Sequence, residues 1–113
     1  MSISDLFLID GFGTNDNKTL ELIIRDPLVW NKETEDAHMY FLENKFGFYI
    51  QYIKEKKYSS MFKDKVFDSF NIKFESEYKL PLKALVHIRK LEKELEPYNI
   101  KINMKIASTS NSC

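Results

Sequence analysis

Apolar and polar positions alternate in two distinct rhythms along this chain, and the rhythms lay out its elements. An apolar run, Leu6 to Phe12, is broken by Gly, Asn and Asp in "GTNDNK", residue types that favour turns. In Thr19 to Arg25, Leu20, Leu22 and Ile24 then alternate with Glu21 and Arg25. The pair reads as two strands joined in a hairpin. Pro27 ends the second, because proline has no N–H to give a ladder.

From about Glu33 to Lys56 the period changes. Met39, Leu42, Phe46, Tyr49, Ile50 and Ile53 recur every three or four residues and make one helical stripe. Phe41, Phe48 and Tyr52 make a second, and Glu43, Asn44, Gln51 and Lys54 make the wet face. Gly47 weakens this helix by about 1 kcal/mol relative to alanine. Segment 57–69 has no period and reads as a connection with room for one helical turn. Phe70, Ile72 and Phe74 alternate with Asn71, Lys73 and Glu75 as a half-buried strand. Pro81 opens a second helix, striped by Ala84, Ile88, Leu91 and Leu95, and Pro97 stops it. A last strand puts Ile100, Ile102, Met104 and Ile106 inward, and residues 108–113 read as a flexible polar tail.

The order is ββαβαβ. Strands that flank a helix run parallel through a right-handed crossover, and alternation leaves one sheet face polar. The expectation is therefore a single α+β domain over residues 1–107. It is a two-layer sandwich, with a four-stranded mixed sheet and two helices on one face.

At 113 residues the chain holds one core. Its 17 basic and 17 acidic side chains cancel, so no overall field draws it to nucleic acid or to an anionic membrane. Cys113 alone builds neither an internal disulfide nor a cysteine zinc site. The start has no secretory pattern and no apolar run is of membrane length, so the cytoplasm is the expected compartment.

Candidate chemistry concentrates at residues 25–53. Glu35 and His38 have the Glu-x-x-His spacing of carboxylate di-iron bundles, but His87 has no acid three residues before it to supply a second pair. Asp26 with Asp36, or Glu33 with Glu35, are candidate acid–base carboxylates. The simpler account is that acids gather at a helix start, where free N–H groups and the macrodipole favour them, with Asn31 as the cap. No serine has a histidine nearby in sequence. "DGFG" lacks the rest of a phosphate loop. Lysines 54, 56, 57, 63 and 65, interleaved with Tyr58, Met61 and Phe62, suit RNA, but Glu55, Asp64 and Asp68 among them make an ordinary solvated face. No cofactor is implied.

What is left is a surplus of aromatics, nine Phe, six Tyr and one Trp, beside an acidic collar. The surplus packs either under the 57–69 connection or on the second helix, or else it faces a partner. An acidic collar beside aromatics suits a basic protein face. The candidate contacts are Asp26, Glu33, Glu35, Asp36 and Tyr40.

"MSISDLFLID", "TLELIIRDPLVWN" and "HMYFLENKFGFYIQYI" together resemble a group of small bacterial proteins of unknown function. Members open with Met-Ser-Ile-x-Asp and an Ile-Asp strand. They continue with a strand ending Ser-Asp-His-Leu-x-Trp and a helix carrying Leu-Gln-x-Lys-x-Asn-x-Tyr. Here "IIRDPLVW" has Arg25 for Ser and Pro27 for His, and Leu42 to Tyr49 has Glu43 for Gln, with Phe48 among the polar positions. No role of that histidine transfers. The resemblance spans most of residues 1–106 and carries no catalytic motif. It implies an immunity protein of bacterial competition, of the kind met in contact-dependent growth inhibition, that blocks a cognate toxin. A basic nuclease domain is the expected target, occluded at its active site, with no direct contact to nucleic acid or membrane. The alternatives are a small metal-binding protein or enzyme centred on Glu35 and His38, or a homodimeric regulatory module joined through the sheet; monomer and homodimer both stay open.

Overall fold

In a computed structural model that describes residues 2–14 and 18–107, the chain folds in the order ββαβαβ. Strands β1 (Gly11–Thr14) and β2 (Thr19–Asp26) pair antiparallel. Helix α1 (Glu35–Lys54) carries the chain to β3 (Ser69–Ser76), which lies parallel to β2. Helix α2 (Leu82–Leu95) carries it to β4 (Ile100–Ile106), parallel to β3. The strand order is 1-2-3-4. One row of side chains along β2 and β3 is buried and the alternate row is not, as expected where crossovers of the usual hand step the same way across a sheet and put both helices on one face, so the mixed α+β expectation holds.

Register explains the core. Leu20, Phe70 and Ile100 stand abreast, as do Leu22, Ile72 and Ile102, and all six are buried. The alternate positions form the open face. There Asn71 Nδ2 donates to Glu21 Oε2 at 2.9 Å, and Asn103 Nδ2 donates to Asn71 Oδ1 at 2.8 Å. Lys101, Asn103 and Lys105 line that face of the edge strand β4, the usual way an edge is kept from pairing with another chain.

Two differences from the pattern-based reading have physical causes. The first strand is Gly11–Thr14 and not Leu6–Phe12. Residues 5–9 curl instead, because the Lys45 ammonium collects the carbonyls of Asp5 and Leu8. Helix α1 begins at Glu35, with Thr34 at the N-cap position but no side-chain cap, while Asn31 Oδ1 accepts the Thr34 N–H at 3.0 Å and so closes the turn before the helix. Segment 57–69 holds one 3-10 turn, Lys57–Ser60, entered through Lys56 in the left-handed region (φ 56°). The 108–113 tail lies outside the described residues.

The surplus aromatics go mostly inward. Phe12 packs on Tyr52 and Phe62, Phe48 on Tyr52 and Phe7, and Phe67 on Tyr58 and Phe62, all with ring centroids about 6 Å apart. Phe48 and Tyr52 of the second stripe of α1 are therefore half-buried against Phe7 and Phe12 of the N-terminal segment, while half-buried Phe41 faces Leu28 and Val29.

Candidate functional site

The buried face of α1 carries Leu42, Phe46, Tyr49 and Ile53, and among them two polar residues seven apart, His38 and Lys45. Each meets one buried aspartate.

Asp10 ends the apolar N-terminal run and points inward. Its Oδ1 accepts from Lys45 Nζ at 2.9 Å, and the other two ammonium protons go to the carbonyls of Leu8, at 2.7 Å, and Asp5, at 2.5 Å. Asp10 Oδ2 accepts the Arg25 N–H at 2.9 Å, and Arg25 Nη1 donates to the Asp10 carbonyl. The Asp10 N–H donates to the Tyr49 hydroxyl at 2.8 Å, which in turn donates to the Ile23 carbonyl at 2.5 Å. Burial pushes the Tyr49 phenol far up, so it remains a donor at any ordinary pH. Lys45 and Asp10 are both without side-chain exposure, and every ammonium proton has an acceptor. Pattern reading missed Lys45. The available signal was a lone charge on the inner side of an apolar stripe, matched by a lone aspartate in an apolar run.

Asp26 continues the inward row of β2 after Leu20, Leu22 and Ile24 and ends beneath the first turn of α1. Its Oδ2 lies 2.7 Å from His38 Nε2, and its Oδ1 accepts the Leu28 N–H at 3.1 Å. A bare lone pair costs less than a bare N–H, so Nε2 carries the proton toward Asp26 and Nδ1 is left as an acceptor. Burial raises the Asp26 carboxyl above its ordinary value; the hydrogen bonds it accepts from His38 and the Leu28 N–H pull the other way. The Trp30 ring stacks on His38, centroids 3.5 Å apart and 8° from parallel. Trp30 Nε1 and His38 Nδ1 are both buried without a hydrogen-bond partner. The Asp–His dyad thus orients an imidazole, and among the described residues no group hydrogen-bonds to its Nδ1.

The candidate contacts separate accordingly. Asp26 is 1% exposed and belongs to this buried cluster, not to an outer collar, because the β2 alternation turns it inward. Glu33, Asp36 and Tyr40 are exposed. Glu35 is half-exposed and pairs with Lys83 at 3.3 Å, with Asp36 at 4.0 Å from the same ammonium. Glu35 and His38 therefore turn to different partners, and among the described residues no group of three His, Cys, Asp or Glu side chains is placed to hold a metal.

Beside the dyad is a shallow depression of about 270 Å³. Leu28, Val29, Ala37 and Phe41 line it, with Asn31, Thr34 and an edge of His38. Exposed Glu33 and Asp36 belong to the same helix start, and Tyr40 lies one turn along. A wider cleft of about 390 Å³ lies at the carboxyl ends of the parallel strands, between Arg25, Glu75, Ser76, Glu77 and Lys105. Its charges oppose one another, with Arg25 3.8 Å and Lys73 3.4 Å from Glu75.

No helix among the described residues is long and apolar enough to cross a membrane. Neither a curated protein nor a solved structure matches the chain. Residues 1–108 match the model of a family of unknown function, DUF6572, and the chain belongs to that family.

Proposed function

We propose that this protein is a cytoplasmic immunity protein, one that binds a cognate bacterial toxin and blocks its active site. The observation that carries the reading is the depression at the start of α1. Leu28, at 36% exposure, and Val29, at 50%, are apolar groups left open to solvent, and Glu33, Asp36 and Tyr40 stand by them. Apolar centre and acidic margin is the chemistry that complements a basic protein surface, and acids in that position imitate the phosphates a nuclease site binds. Asp26, His38 and Trp30 act as the support, fixing the loop that carries Leu28 and Val29. Glu35, held by Lys83, is a weaker contact than Glu33 or Asp36.

The test is co-expression with the product of the neighbouring reading frame, followed by size exclusion. The reading expects a 1:1 complex and rescue of cells from that product's toxicity. Glu33→Lys with Asp36→Lys then loses the complex while the fold survives. A complex indifferent to that reversal moves the site elsewhere, and no complex with no rescue removes the immunity reading.

A further inference from the structure

Formal charge sums to zero, but the helix layer is not neutral locally. On α2, Ala84, Ile88 and Leu95 are buried. At roughly 100° per residue the opposite side carries Leu82, Val86, Arg89, Lys90 and Lys93, and no acid. Leu82 is 75% and Val86 58% exposed, and these side chains line a broad, shallow groove with the three cations along it. The first half of the outward side of α1 has the reverse character: Asp36, Tyr40 and Glu43 are exposed, with Glu33 just ahead of the helix, and the one cation on this side, Lys54, lies in the last turn. Gly47 follows on that side, and a Cβ there would meet nothing within 4 Å, so the middle of this face is bare.

We propose that these two faces are halves of one self-complementary surface, and that its occupant is a second copy of this chain. The acidic, tyrosine-bearing face of α1 in one copy lies on the apolar and basic face of α2 in the other. Both helices connect parallel strands, so they run parallel with their starts together, and Lys83 of α2 reaching Glu35 and Asp36 of α1 marks that neighbourhood. Two patches side by side on one surface are exchanged by a two-fold axis passing between them, so each contact is made twice. Leu82, Val86 and Tyr40 form the apolar centre; with the helix starts level, Arg89 and Lys90, eight and nine residues into α2, come opposite Glu43, nine residues into α1, at the margin. The inference stands apart from the toxin reading. If both hold, the second copy covers the acids a basic toxin needs, and toxin and copy compete.

Sedimentation equilibrium of the full chain alone tests it, at about 0.02 M and about 0.5 M salt. The expected result is a dimer at low salt that weakens about tenfold or more at high salt. Arg89→Glu/Lys90→Glu and Glu43→Lys should each be monomeric by themselves. Mixed together they should form a heterodimer, because the acids of one then face the bases of the other at both contacts. Val86→Asp, which touches no charge pair, should also be monomeric and covers the case of a reversal variant that fails to fold by circular dichroism. A chain monomeric to about millimolar concentration at low salt overturns the proposal. So does a dimer that ignores these substitutions, or reversal variants that stay apart when mixed.

Discussion

Two acid–base pairs lie under the same helix, two turns apart, and are built to different standards. Asp10 and Lys45 form a closed network in which each ammonium proton and both carboxylate oxygens are used. Asp26 and His38 form an open one, in which one imidazole nitrogen and the neighbouring indole N–H are left over beside a surface depression. Removing charge from water is costly, and only a complete set of partners offsets it. The closed network thus serves to pin the N-terminal segment to the helix. The open one holds a loop in place and remains the more easily disturbed of the two.

The largest test of that contrast is Lys45→Met. It strands Asp10 without its counter-ion and should cost about 3–5 kcal/mol in denaturant unfolding; a loss under about 1 kcal/mol would put the two pairs on equal terms. Tyr49→Phe removes the hydroxyl linking the Asp10 N–H to the Ile23 carbonyl, and should cost about 1–3 kcal/mol by the same measurement.

Asp26→Asn probes the open pair through pH. The folded carboxyl titrates above its ordinary value of 3.8, so the folded state holds that proton more tightly than the unfolded chain. This contribution to stability is full below the unfolded value and is lost as pH rises through the folded one. Relative to the Asn variant, the native chain should therefore lose stability as pH rises from below 3.8 through the folded titration. Parallel stability–pH curves for the two chains would show that Asp26 is not titrating as described. The smallest effect is a control on the outer side of the same helix. Gly47→Ala meets no neighbour and should stabilise the fold by about 0.5–1 kcal/mol, seen as a raised Tm.

Most of the architecture was legible because it follows from period. Alternation in 70–74 and 100–106 and the three-to-four spacing in α1 and α2 state which face is buried, whatever surrounds them. The first strand was not legible. "LFLID" is apolar enough for a strand, and only a lysine distant in sequence decides that its carbonyls turn away from a ladder. The site was half legible. Glu33, Asp36 and Tyr40 lie where a helix start puts them, in the open, but the inward turn of Asp26 depends on one further step of the β2 alternation past Arg25. The motifs that carry the family resemblance include Asp10, Asp26, Trp30, Lys45 and Tyr49, and all five belong to the two buried networks. Those motifs therefore speak of how the chain is held together more than of what it binds.

The parallel register has a consequence for how the chain reaches this state. β1 and β2 are neighbours in sequence, but Thr19 must find Ser69 across fifty residues, and Asn71 must find Asn103 across thirty-two. Distant pairings wait on loop closure, and here each loop contains the helix that covers the finished sheet. The hairpin and the helices are the pieces able to form early. β3, which alone contacts both β2 and β4 in the ladder, is the strand whose arrival joins them, and substitutions at Ile72 or Phe74 should slow folding more than those in β1.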